Sequence, residues 1–140
     1  MDASTPKRLL SGLDHARLSS FLFKPRFATT LPAGLADAVQ DLLDGADSID
    51  ATRMPPEVVT MRSRVRVRGG NGDERTLTLC YPAEADPALG LVSVFTPLGL
   101  ALLGARVGQR IAWTGPREEP RTALVLKLLY QPESSGDYAC

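Results

Sequence analysis

SVFTPLGLALLGARVGQRIAW, residues 93–113, reads as a strand, a short helix opened by proline, a glycine-punctuated turn and a second strand. Pro97 suits the first helical turn because its missing N–H has no partner to lose there, and Gly104 and Gly108 supply permissive backbone after Leu98, Leu100, Ala101, Leu102 and Leu103. Such a helix is too short to persist alone in water and too apolar to face it. It therefore predicts a plug around which a curved sheet must wrap.

Working outward, alternation supplies the sheet. From Val58 to Arg68, Val59, Met61, Val65 and Val67 alternate with Arg62, Arg64, Arg66 and Arg68, which predicts a half-buried strand with an arginine-lined outer face. GGNGD is a turn, and Arg75–Tyr81 repeats the alternation, so the two segments read as a hairpin. Leu91–Phe95 is a strand leading into the plug, while Arg110–Thr114 and Arg121–Tyr130 form a second hairpin across GPREEP. The YQPESSGDYAC ending reads as turn-like tail.

Upstream the period changes to helical. Leu10, Leu13, Leu18, Phe21 and Leu22 share a face until Pro25, predicting a helix over about Asp14–Phe23 capped by Ser11 or Asp14. Leu35, Val39, Leu42 and Leu43 predict a second helix over Ala33–Asp44, joined to the first through KPRFATTLP as an antiparallel hairpin. Residues 1–10 read as a loose tail, and MPP marks a boundary. The expected architecture is α+β: a tail and short helical hairpin over 1–54, then an antiparallel sheet wrapped around a short helix over 55–140.

Composition narrows the chemistry. Sixteen basic residues balance sixteen acidic ones, so bulk charge gives no argument for nucleic acid. Neither an eighteen-residue apolar run nor a signal-peptide h-region is readable, which predicts a soluble, cytoplasmic protein without a membrane partner. Cys80 and Cys140 offer no disulfide framework or metal spacing and are expected to be reduced thiols. His15 is the one histidine, placed on a helix away from any sheet nucleophile, and is read as an exposed or capping side chain. Asp37, Asp41, Asp44, Asp47 and Asp50 lack the calcium-loop pattern and read as a solvated acidic face. No catalytic set, cofactor, metal or small-molecule substrate is expected. Two features remain as candidates for binding: the arginine row, which otherwise is a solvated face, and Phe95 with Thr96 and Pro97, which are either a docking point or ordinary core.

VVTMRSRVRVR, TLCYPAEAD, the 93–113 stretch and LLYQPESSGDY together resemble the C-terminal domain of the Gre family of transcript-cleavage factors. With LDHARLSSFLFKP and MPPEVVTM in the same order, the chain is more closely similar to the regulator of nucleoside diphosphate kinase family, whose helical hairpin is shortened. The resemblance implies an FKBP-like sheet around a short helix, and docking on RNA polymerase at the rim of its secondary channel. It carries the docking segment onto Ser93, Phe95, Thr96 and Pro97, with Phe95 replacing the polar residue common there; Arg62 and Arg64 are added from the arginine row. Because KPRFATTLP holds no carboxylate to deliver to a metal, the expected function is non-catalytic polymerase binding without transcript cleavage, in competition with Gre factors and without specific DNA binding. The enzymatic alternative is an FKBP-like peptidyl-prolyl isomerase or peptide-binding chaperone, for which Trp113, Tyr81 and Tyr130 are the available aromatic side chains. A third possibility is nucleic-acid binding through the arginine strand.

Overall fold

The computed structural model describes residues 8–22, 34–115 and 117–136. The elements are β1 (Leu9–Ser11), α1 (Gly12–Leu22), α2 (Leu35–Gly45), β2 (Asp47–Ile49), β3 (Arg64–Gly69), β4 (Glu74–Cys80), β5 (Leu91–Ser93), α3 (Pro97–Leu102), β6 (Arg110–Thr114) and β7 (Pro120–Tyr130). The result is a mixed α+β fold with a curled sheet and few helices.

The main sheet has the order β5-β4-β3-β7-β6. Both expected hairpins are present, with β3 antiparallel to β4 and β6 antiparallel to β7. The expectation of a purely antiparallel sheet is corrected at one edge, where β5 runs parallel to β4 and pairs Leu79 with Val92. The connection between them passes through short helical turns at 82–84 and 87–89, which let the chain turn back so that β5 runs beside the last three residues of β4 in the same direction. Alternation sends Val65, Val67, Leu77, Leu79, Ile111, Ala123 and Val125 inward, where they meet α3. Leu102 and Leu103 have no exposed surface, so the end of the plug is completely covered.

The strand expected from Val58 starts only at Arg64. Val59 instead exchanges hydrogen bonds with the segment after the plug, its N–H donating to Ala105 O at 2.8 Å and its carbonyl accepting from Gly104 N at 2.8 Å. Arg62 then adopts φ 68°, a left-handed conformation unusual for a residue with a Cβ, and so leaves the arginine row.

At the other end, Ser11 is the cap of α1, its Oγ accepting from Asp14 N at 3.1 Å. Both helices present their apolar residues to the core, and His15 Nε2 donates to Leu43 O at 3.0 Å between them. The linker KPRFATTLP, and with it the hairpin's connecting loop and tip, lies outside the described residues. The five aspartates from Asp37 to Asp50 are exposed or nearly so. The expected loose tail is shorter than supposed: β1 pairs in parallel with β2, and Leu10 is fully buried.

Candidate docking site

The start of α3 is built by short side chains closing on their own backbone. Thr96 Oγ1 donates to Ser93 O at 2.7 Å and accepts from Gly99 N at 3.1 Å, which caps the helix. Ser93 Oγ accepts from Phe95 N at 3.0 Å. Gly99 is required because a Cβ there would run into the Ser93 carbonyl oxygen. The far end is held as firmly: Arg8 Nη1 donates to Leu103 O at 2.9 Å and to Leu100 O, placing a cation on the carbonyls that end the helix. The product is a rigid turn with Pro97 exposed and Ser93 and Thr96 half-exposed.

Phe95 takes the core alternative. It is 5% exposed, and its ring lies 5.6 Å from that of Phe21, which stacks at 5.7 Å on Tyr81. Arg62 joins this group, its guanidinium 5.6 Å above the Tyr81 ring and 3.1 Å from Glu84. Burial, then the charge of Asp14, pushes the Tyr81 hydroxyl up to about 12 against the opposing pull of Arg17 and Arg62. The structure thus gathers Ser93, Phe95, Thr96 and Pro97 at the start of α3, and links Arg62 to Phe95 through the Tyr81 and Phe21 rings. Arg64 is not part of it: it points from β3 to the outer face, beside Thr78 and Tyr130.

Beneath that edge lies a buried polar junction that no sequence pattern announced. Asp14, 3% exposed, accepts from Met61 N at 3.2 Å, and Glu133, 8% exposed, accepts from Thr60 Oγ1 at 2.7 Å. Burial and the neighbouring Glu133 charge raise the Asp14 carboxyl to about 6, partly offset by the Met61 N–H, Arg17 and Ser11. Gln131 adds two bonds from Nε2, to Pro55 O at 2.8 Å and Val58 O at 2.7 Å. The QPE that reads as tail therefore anchors the segment on which α1 rests.

The concave side of the sheet holds a cleft of about 390 Å³ lined by Val67, Leu77, Leu98 and Trp113, with Arg75 and Arg121 among its polar members. Trp113 is its only aromatic lining residue among those described. Tyr81 packs against α1 and Tyr130 stands on the outer face, so the three aromatics do not converge as an isomerase pocket requires.

The family described as "Transcription elongation factor, GreA/GreB, C-term" matches residues 54–130, which makes the curled sheet and its plug a domain of that class. Regulator of nucleoside diphosphate kinase of Escherichia coli strain K12 is 42% identical over 136 residues, 96% of this chain and 98% of that protein. Transcription elongation factor GreA of Solidesulfovibrio magneticus is 33% identical over 90 residues, 64% of this chain and 55% of that protein. Among solved structures, a prokaryotic transcription elongation factor GreA/GreB from Nitrosomonas europaea superposes with a TM-score of 0.72 at 34% identity, covering 90% of this chain and all of that one. The chain belongs to the regulator of nucleoside diphosphate kinase family, which shares the Gre-type C-terminal domain.

Proposed function

We propose that this protein is a non-catalytic, cytoplasmic transcription regulator that binds RNA polymerase near the secondary channel through the edge formed by Ser93, Thr96 and Pro97, with Arg62, over the Tyr81 ring, as a further contact. The observation that carries the reading is the Ser93–Pro97 turn: its side chains are spent on fixing the backbone, so it presents one preformed shape to a partner. Phe95 serves from beneath, holding the turn on the core. The division is into residues 1–54, a tail and short antiparallel helical hairpin, and 55–140, an FKBP-like domain. A short hairpin whose linker carries Lys24 and Arg26 but no carboxylate brings no metal ligand to a polymerase active centre, so binding occurs without transcript cleavage and competes with Gre factors for a shared surface.

Immobilised core RNA polymerase tests this. The intact chain is expected to be retained at micromolar concentration and displaced by a long-coiled-coil Gre factor, and Pro97→Glu is expected to weaken retention at least about tenfold, the loss of one well-placed interface contact. Lack of retention, or retention unchanged by Pro97→Glu, refutes the docking edge; stimulated cleavage of a stalled transcript refutes the non-catalytic reading.

A further inference from the structure

The outer face of the main sheet carries charge that the fold leaves unbalanced. Register sets Thr78, Arg64 and Tyr130 in one row across β4, β3 and β7, and Thr76, Arg66 and Lys127 in the next. A third row holds Glu74, Arg68, Leu124 and, from β6, Arg110. Five cations thus stand against one carboxylate on these rows, in a chain whose net charge is zero. Glu74 is shared, accepting from Arg66 Nε at 2.9 Å and Arg68 Nη2 at 3.2 Å, and the two guanidinium groups hold its carboxyl below the ordinary value. Arg64, Arg110 and Lys127 form no ion pair among the described residues. Arg66 and Lys127 stand directly opposite each other, a like-charge pair in which Glu74 engages Arg66 and not Lys127.

From this face we infer a binding surface for the phosphate backbone of single-stranded RNA. The three arginines on β3 recur every second residue, about 6.6–6.8 Å apart, a step comparable to that between phosphates of an extended strand. Between the cations lie apolar side chains: Leu129 is 43% exposed, and Leu124 and Tyr130 are half-exposed. Bases splayed from a single strand cover such side chains. The face is the convex side of a curled sheet, so it enters neither groove of a duplex. A purely acidic polypeptide such as poly-glutamate would match the charge but has no apolar group to lay over these side chains. The choice of RNA over DNA rests on the transcription role proposed above. The surface is separate from the Ser93–Pro97 edge, so one chain holds both contacts.

Fluorescence anisotropy of a labelled oligouridylate of about twelve nucleotides tests the surface. With the intact chain, binding is expected in the range of tens of micromolar at about 50 mM salt, weakening about fiftyfold by 200 mM if four phosphates are engaged. Arg110→Glu with Lys127→Glu is expected to weaken it more than tenfold while leaving polymerase retention unchanged. Glu74→Gln is expected to tighten binding two- to threefold, a gain that misfolding cannot produce. Pro97→Glu should do the reverse of the double variant, losing polymerase and keeping RNA, which separates failure of this surface from failure of the docking edge. The inference is overturned by no anisotropy change at about 200 µM protein, by affinity indifferent to salt or to Glu74→Gln, or by oligothymidylate or poly-glutamate binding as tightly as oligouridylate.

Discussion

Replacing Asp14 by asparagine isolates the free energy stored at the junction between α1 and the sheet. The carboxyl sits 3% exposed, close to Glu133, and its folded value is raised to about 6 from 3.8. In the unfolded chain it titrates near its ordinary value. Below about pH 3 it is largely protonated in both states and the shift has almost no effect. As pH rises towards 6 the unfolded chain releases a proton that the folded chain retains, so stability falls, and above about pH 7 the penalty is complete. A shift of about two units corresponds to on the order of 3 kcal/mol, a substantial share of the stability of a small domain.

Asp14→Asn keeps an oxygen to accept from Met61 N, now 3.2 Å away, and abolishes the charge. Urea unfolding should therefore give midpoints that differ little between variant and parent near pH 4, and a variant more stable by about 2–3 kcal/mol at pH 8; with a slope of about 1–3 kcal/mol per molar urea, that is a shift of about 0.7–3 M. Asp14→Ala provides the contrast. It removes the charge but strands the buried Met61 N–H, costing about 1–3 kcal/mol, and so should gain little or nothing at pH 8 and lose stability at pH 4. Carboxylates remote from Asp14 titrate alike in all three proteins and cancel in the differences, while relief of the Asp14–Glu133 repulsion adds to the gain at pH 8. A gap between Asp14→Asn and the parent that is the same at pH 4 and pH 8 would refute the reasoning.

The two ends of the plug give further expectations. Gly99→Ala sets a Cβ against the Ser93 carbonyl, where backbone meets backbone and nothing flexible can yield, so a loss of about 3 kcal/mol or more is expected by calorimetry. Arg8→Ala removes the donor to Leu100 O and Leu103 O; at about 1.5–3 kcal/mol for hydrogen bonds to a charged group, and about 2–4 °C per kcal/mol, the midpoint should fall by about 3–12 °C. A fall in that midpoint no larger than for Arg53→Ala, an exposed position in a short helical turn, would show that the N-terminal segment does not brace the plug.

What was legible in the sequence was whatever local period or local chemistry controls. The apolar run from Leu98 to Leu103 had to be covered on all sides, and Thr96-Pro97 opens a helix by capping and by proline's fixed φ, so the plug was readable without any partner segment. The two hairpins followed from alternation, the first aided by Gly72 in its turn, at φ 92°. The features that were not legible depend on contacts far apart in the chain. Nothing near Arg62 marks its left-handed backbone; what sets it there is Val59 pairing with Ala105, which ends the alternation before β3 begins. A strand as short as β5 carries too few residues to display a period, and its parallel pairing depends on the loop that precedes it. Phe95 was ambiguous for the same reason: its burial is supplied by Phe21, on α1. Asp14 looked like a helix cap because aspartate in a first turn usually is one; only Thr60, Met61 and Glu133, brought from two distant segments, turn it into a buried acid. The outer charge shows the same rule from the other side. The β3 arginines are visible as an alternating row, while Arg110 and Lys127 join them through strand register alone, and it is register that turns a neutral chain into one with a cationic face.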